Sequence, residues 1–231
     1  MAAGTKQEIK GEIKTPLFAL ITALSIALAS VSPADAEDRA EDGDVLVLVM
    51  GDSLSAGYNL PPDASFPARL EVWLNTQGLS ATIINAGVSG DTSTGGRARL
   101  DWVLSNLPVE DLDLVILEFG GNDMLRGTEP SVTRTNLAAM IATLIERNIP
   151  VLLAGIRALP NMGRDYEAEF NGLYPELAQE YGIPLYPFFL EGVATVPELK
   201  LGDGLHPNEA GVEVMVANMG PMILDFLIPA S

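Results

Sequence analysis

The 231-residue chain holds one histidine. His206 stands in Asp203-Gly204-Leu205-His206-Pro207, and far upstream Ser53 follows an apolar run in Gly51-Asp52-Ser53-Leu54. A hydroxyl becomes a nucleophile when a neighbouring base takes its proton, and imidazole suits that exchange near neutral pH. With a single imidazole in the chain, the base for Ser53 is unique. Asp203, three residues before His206, is in reach of Nδ1 and would leave Nε2 facing the serine, the orienting role in a catalytic triad. Gly-Asp-Ser alone reads better as a plain turn, and no Gly-x-Ser-x-Gly elbow surrounds Ser53. The three residues together, not any one of them, point to acyl transfer.

Acyl transfer also needs donors aimed at the oxyanion of the tetrahedral intermediate. The backbone N–H of Ser53, the backbone N–H of Gly90 and the side-chain amide of Asn122 are the candidates. Glycine admits close approach to a substrate, and a carboxamide donates without titrating. Asp52, Asn85, Asp91 and Asp123 read as braces of the same loops.

These residues must be held on something rigid. From residue 45 onward, short runs rich in Val, Ile and Leu (45–50, 81–84, 114–118, 151–154 and 183–186) alternate with amphipathic segments at 66–76, 95–107, 133–147, 165–181 and 208–226. Strand then helix, repeated about five times, predicts a parallel sheet covered on both faces. Ligands bind such sheets beyond the carboxyl ends of the strands. The loops carrying Ser53, Gly90 and Asn122 follow the first three runs, and the His206 loop precedes the last helix, so all four converge on one edge.

Composition bounds the alternatives. The formal charge of -18 disfavours nucleic acid as a partner. With no cysteine there is no disulfide, no thiolate nucleophile and no thiolate zinc site, and one histidine argues further against zinc. The glycine-rich stretch 87–96 lacks the Lys-Ser or Lys-Thr of a phosphate loop and does not match Gly-x-Gly-x-x-Gly. The acidic segment 37–44 has no calcium-loop spacing and reads as a solvated leader. A glycosidase with two carboxylates would leave the Ser53 and His206 pattern unexplained.

Lys6, Lys10 and Lys14 precede an uncharged stretch, 15–34, with an apolar centre at 17–31, followed by Ala34-Asp35-Ala36. That is the layout of a secretory signal over 1–36. Pro33 and the small residues at the cleavage position favour removal over a retained membrane anchor. The mature protein is then a single domain, 37–231, periplasmic or secreted and without stable membrane insertion. Its oligomeric state is not legible.

The four blocks, in this order, resemble the SGNH hydrolases, or GDSL lipases and esterases: Ser53 in Gly-Asp-Ser-Leu, Gly90 in the second block, Asn122 in Gly-Gly-Asn-Asp and His206 in Asp-Gly-Leu-His-Pro. Residues 51–58, 90–93, 118–127, 160–164 and 187–189 are similar to the exported bacterial thioesterase, lysophospholipase and arylesterase subgroup. The resemblance implies a three-layer α/β/α fold with a central, mainly parallel five-stranded sheet in flavodoxin-like order. It implies no metal and no cofactor. It also implies Ser53, Asp203 and His206 as triad, with Ser53, Gly90 and Asn122 as oxyanion hole.

The expected activity is serine-dependent hydrolysis of carboxylic esters and thioesters through an acyl-enzyme on Ser53. Aryl esters, short to medium acyl esters and lysophospholipids are the substrate classes. Leu54, Met124, Leu125 and Met162 are candidates for the apolar acyl groove. A carbohydrate O-acetylesterase would use the same set. A lipid-binding protein with vestigial chemistry is the reading from outside enzymology.

Overall fold

A computed structural model describes Met1 and residues 45–228. Apart from Met1, the leader expected at 1–36 and the acidic segment 37–44 lie outside the described residues.

Five strands form one sheet: β1 (Val45–Met50), β2 (Ala81–Asn85), β3 (Leu112–Glu118), β4 (Val151–Ala154) and β5 (Leu185–Tyr186). Their order is β2-β1-β3-β4-β5, and every pairing is parallel. Val47, for example, sits opposite Ile83 on one side and Leu114 on the other. The two central strands are buried on both faces, with Val47 to Met50 and Leu114 to Leu117 all at 0% exposure. That double burial is why they read as unbroken apolar runs, not as alternating ones.

Seven helices connect and cover the strands among the described residues: α1 (Ser53–Ala56), α2 (Phe66–Thr76), α3 (Ser93–Ser105), α4 (Gly121–Leu125), α5 (Pro130–Glu146), α6 (Arg164–Tyr181) and α7 (Glu209–Leu227). α2 packs with α7, while α3 packs with α5 and α5 with α6, so two helical layers sandwich the sheet. The stripe Phe66, Leu70 and Leu74 seats α2, and Val212, Met215, Val216, Met219 and Ile223 seat α7, at the helical spacing that puts each set on one face. α7 is long and apolar enough to cross a membrane by composition, but this buried stripe accounts for its apolarity.

The expected flavodoxin-like three-layer α/β/α architecture is therefore the observed one. Two details differ. The fifth run shrinks to two residues, because Ile183 N–H bonds back to Ala178 O and closes α6, and Pro184 has no N–H to give a ladder. The loops carrying Ser53 and Asn122 each begin a short helix, α1 and α4, rather than an open turn.

Candidate active site

Ser53 is the first residue of α1, immediately beyond the carboxyl end of β1. Asp52 caps that helix, its Oδ1 accepting the Leu54 N–H at 2.9 Å. Buried strand and cap together fix where the Ser53 hydroxyl points. It lies 2.8 Å from His206 Nε2. On the other side of the ring, Nδ1 is 2.7 Å from Asp203 Oδ2.

The loop before α7 is built to hold that imidazole. Asp203 Oδ1 accepts the N–H groups of Leu205 and His206 at 2.9 and 3.0 Å, which winds the loop around the carboxylate and leaves Oδ2 for the ring. Lys200 pairs with Pro207 in an antiparallel bridge, and Leu201 N–H donates to His206 O at 2.8 Å. Burial is the largest single influence on Asp203 and raises its pKa, but the two backbone N–H groups, the imidazole hydrogen bond and its charge together outweigh it and bring the carboxyl down to about 2. Asp203 is thus an anion at any pH where the imidazole can act as a base. Tyr58 covers the ring from above, its centroid 4.4 Å from that of His206.

The three donor candidates stand differently. The N–H groups of Ser53 and Gly90 have no acceptor among the described residues. Gly90 sits at φ +82°, in an exposed turn whose carbonyl accepts from Arg126 Nη2 at 2.8 Å. Asn122, by contrast, spends both amide hydrogens, one on Asp52 Oδ2 at 3.0 Å and one on Asp91 O at 2.8 Å. The carboxamide is locked in orientation, and an oxyanion would have to share one of those hydrogens.

Beside Ser53 and His206 opens a cavity of about 150 Å³. Leu54, Met124 and Leu125 line it, as the sequence suggested, together with Ile156, Leu159, Phe188 and Leu190. Met162 does not. It sits in the turn Pro160–Met162, packed against the core. Sequence hydrophobicity reported its burial and not its direction.

Asp52 and Glu118 are a buried carboxyl pair under Ser53. Glu118 Oε2 accepts the Asp52 N–H at 3.2 Å and the Ser55 hydroxyl at 2.8 Å, while Oε1 has no partner among the described residues. Desolvation dominates both groups. It raises Asp52 to about 6 against the opposing pull of Leu54 N–H, His206 and Asn122. Burial and the neighbouring Asp52 charge push the Glu118 pKa well above the ordinary carboxylate value. Nothing in the sequence singled out Glu118 beyond its being the one acid that ends an apolar strand.

The other braces do what their type suggests. Asp123 takes the Ser93 N–H at 2.8 Å and its hydroxyl at 2.5 Å, pinning the start of α3. Asp91 holds Arg99, whose Nη2 reaches Gly51 O at 3.0 Å. Asn85 Oδ1 closes a turn on Gly87 N–H at 3.0 Å.

The profile of the GDSL-like Lipase/Acylhydrolase family matches residues 49–214, most of the chain and all of this site. The chain belongs to that family. Among its relatives are the arylesterase of Vibrio mimicus, 44% identical over 162 residues, 70% of this chain and 80% of the relative. Another is the thioesterase 1/protease 1/lysophospholipase L1 of Escherichia coli strain K12, 41% identical over 171 residues, 74% and 78% of the two chains. Among solved structures, AlinE4, an SGNH-hydrolase family esterase, is 45% identical with a TM-score of 0.68, covering 83% of this chain and all of that one. The GDSL relationship makes this protein a serine hydrolase of the SGNH type.

Proposed function

We propose that this protein hydrolyses aryl esters and short acyl esters, with related thioesters and lysophospholipids in the same class, by a two-step mechanism centred on Ser53. The observation that carries the reading is the 2.8 Å contact between Ser53 Oγ and the sole imidazole, at the mouth of an apolar cavity. His206 Nε2 takes the serine proton as Oγ attacks the acyl carbonyl, and the same proton then goes to the departing alcohol or thiol. Water deprotonated by His206 releases the acid. Asp203 keeps Nδ1 protonated throughout, and the negative charge of each tetrahedral intermediate falls to the N–H groups of Ser53 and Gly90 and the Asn122 amide.

Cavity size narrows the acyl group. A space of about 150 Å³ is the size that accepts one benzene ring, so an aryl or short aliphatic acyl group fits inside it and the longer chain of a lysophospholipid must run on through its open mouth. The chemistry in this scheme is supplied by side chains and backbone alone. Among the described residues no cluster of acidic, His or Cys side chains forms a metal site. We also propose export, with residues 1–36 removed as a signal; the supporting feature is the Lys-rich start, apolar centre and Ala34-Asp35-Ala36.

The test is hydrolysis of p-nitrophenyl esters from acetate to palmitate by the protein and by Ser53→Ala. The expected profile peaks at about four to six acyl carbons, the length that the enclosed part of the cavity holds, and disappears in Ser53→Ala. An equal rate in Ser53→Ala, or a rate on acetylated oligosaccharides with none on aryl esters, would overturn it.

A further inference from the structure

Lys200 is the only lysine among the described residues. Four of the eight arginines there are firmly paired with carboxylates: Arg69 faces Glu213, Arg99 faces Asp91, Arg134 faces Glu176 and Glu180, and Arg147 faces Asp101. Lys200 faces none among the described residues. It lines the cavity beside Ser53, and its Nζ donates at 2.8 Å to the carbonyl of Ala194, which lines the same cavity. An ammonium has three N–H donors, so two remain for a ligand.

Its backbone is held in place. Lys200 bridges Pro207, next to the catalytic imidazole, and the neighbouring Leu199 carbonyl accepts from Asn208 N–H at 2.9 Å. A second cation, Arg157, shares the wall, its guanidinium 4.8 Å over the Phe188 ring and only loosely paired with Glu191 at 4.0 Å. The one acid on that wall is Asp52, beneath the nucleophile and occupied by Leu54 N–H and Asn122. In a chain of charge -18, the acyl cavity thus carries the opposite local balance. An apolar acyl chain gains nothing from a half-buried cation, whose two remaining donors it would cover without pairing.

We propose that Lys200 is a specificity-determining residue that favours acyl chains ending in a carboxylate, so that half-esters of dicarboxylic acids are substrates. The inference rests on the Ser53 esterase reading. The carboxylate would accept the two remaining Lys200 donors while the methylene chain lies on the apolar wall. Long-range repulsion from the acidic surface works against such substrates, so the local cation must outweigh a screened field.

The experiment compares mono-p-nitrophenyl adipate with p-nitrophenyl hexanoate, equal in acyl length and different in charge, each corrected for spontaneous hydrolysis. The readout is the adipate-to-hexanoate ratio of kcat/KM. Lys200→Met should lower that ratio about tenfold, the scale of one charge-assisted hydrogen bond, and Lys200→Arg should restore most of it. Added salt, which relieves the long-range repulsion in both proteins and weakens the Lys200 contact in one, should raise the ratio less in the wild type than in Lys200→Met. If Lys200 merely tethers Ala194, both substrates fall together and the ratio holds, which overturns the inference with the esterase reading intact. If hexanoate hydrolysis is absent or independent of Ser53, the esterase reading fails first and takes this one with it.

Discussion

Replacing Asp203 by Asn should damage the enzyme more than removing the side chain altogether. Oδ1 of Asp203 accepts two backbone N–H groups, from Leu205 and His206, and Oδ2 accepts the imidazole Nδ1–H. An asparagine has one acceptor oxygen for these two jobs. If that oxygen keeps the two backbone donors, the NH₂ faces Nδ1 and forces the ring into the tautomer with its proton on Nε2, where it cannot take a proton from Ser53. If the amide flips, NH₂ meets two N–H donors and the loop opens. The wrong tautomer costs about 10⁴ in kcat, or about 5.5 kcal/mol. Asp203→Ala leaves the tautomer free. The Asp203 side chain is 35% exposed, so water can accept from Nδ1. The ring then loses one charged hydrogen bond, about 1.5–3 kcal/mol or roughly 10- to 150-fold, while the exposed Leu205 and His206 N–H groups that lose Oδ1 turn to water and add a smaller loss. The assay is single-turnover acylation by a p-nitrophenyl ester, with the ring tautomer read by nitrogen chemical shifts in both variants. Asp203→Ala as slow as Asp203→Asn or slower, or both variants within tenfold of wild type, would refute the orienting role.

Two further outcomes follow from the same geometry. Tyr58 packs its ring on His206 at 4.4 Å, so Tyr58→Phe should keep most activity and Tyr58→Ala should lose about 2- to 13-fold, the worth of one aromatic contact; steady-state kcat/KM of both variants decides it, equal losses contradicting the packing role. Glu118 and Asp52 both have raised pKa values, so the folded state holds protons that the unfolded chain releases, and stability falls as pH rises from the unfolded value of Asp52, 3.8, through its folded value of about 6 and on toward that of Glu118. Glu118→Gln keeps the acceptor for Asp52 N–H and Ser55 without the charge, so its urea midpoint relative to wild type should climb from pH 5 to pH 8; a difference that is flat or falls with pH would contradict the raised pKa of Glu118.

Much of the fold was legible because the physics was local. β1 and β4 coincide with the runs 45–50 and 151–154, where unbroken apolar sequence ends at Gly51 and Gly155. α2 coincides with 66–76, where Ser65 caps and the apolar spacing is regular. Where tertiary contacts decide, the reading drifted. α3 starts at Ser93 and not at residue 95, capped by Thr92, and inside it Gly96 must be glycine because the Phe119 ring lies 2.4 Å from where a Cβ would stand. Propensity counts that glycine against the helix, whereas close packing requires it.

The site divides the same way. Ser53, Asp203, His206 and Asn122 could be named because their types and loop positions are scarce and specific. The cavity wall could not. Ile156, Leu159, Phe188 and Leu190 are ordinary apolar residues whose direction is set by distant packing. Lys200 stands alone in its segment, with no spacing to mark it. Glu118 gains its meaning only from the Asp52 N–H and the Ser55 hydroxyl, 66 and 63 residues away in sequence.

The most direct test of the central claim is the site of covalent modification by a p-nitrophenyl alkylphosphonate, which traps an attacking serine as a stable tetrahedral adduct. Intact mass followed by peptide mapping should give one adduct per chain, on the peptide bearing Ser53, formed with loss of esterase activity and absent from Ser53→Ala. An inactivated protein whose adduct lies on any other residue, or an active one that forms no adduct, would contradict it.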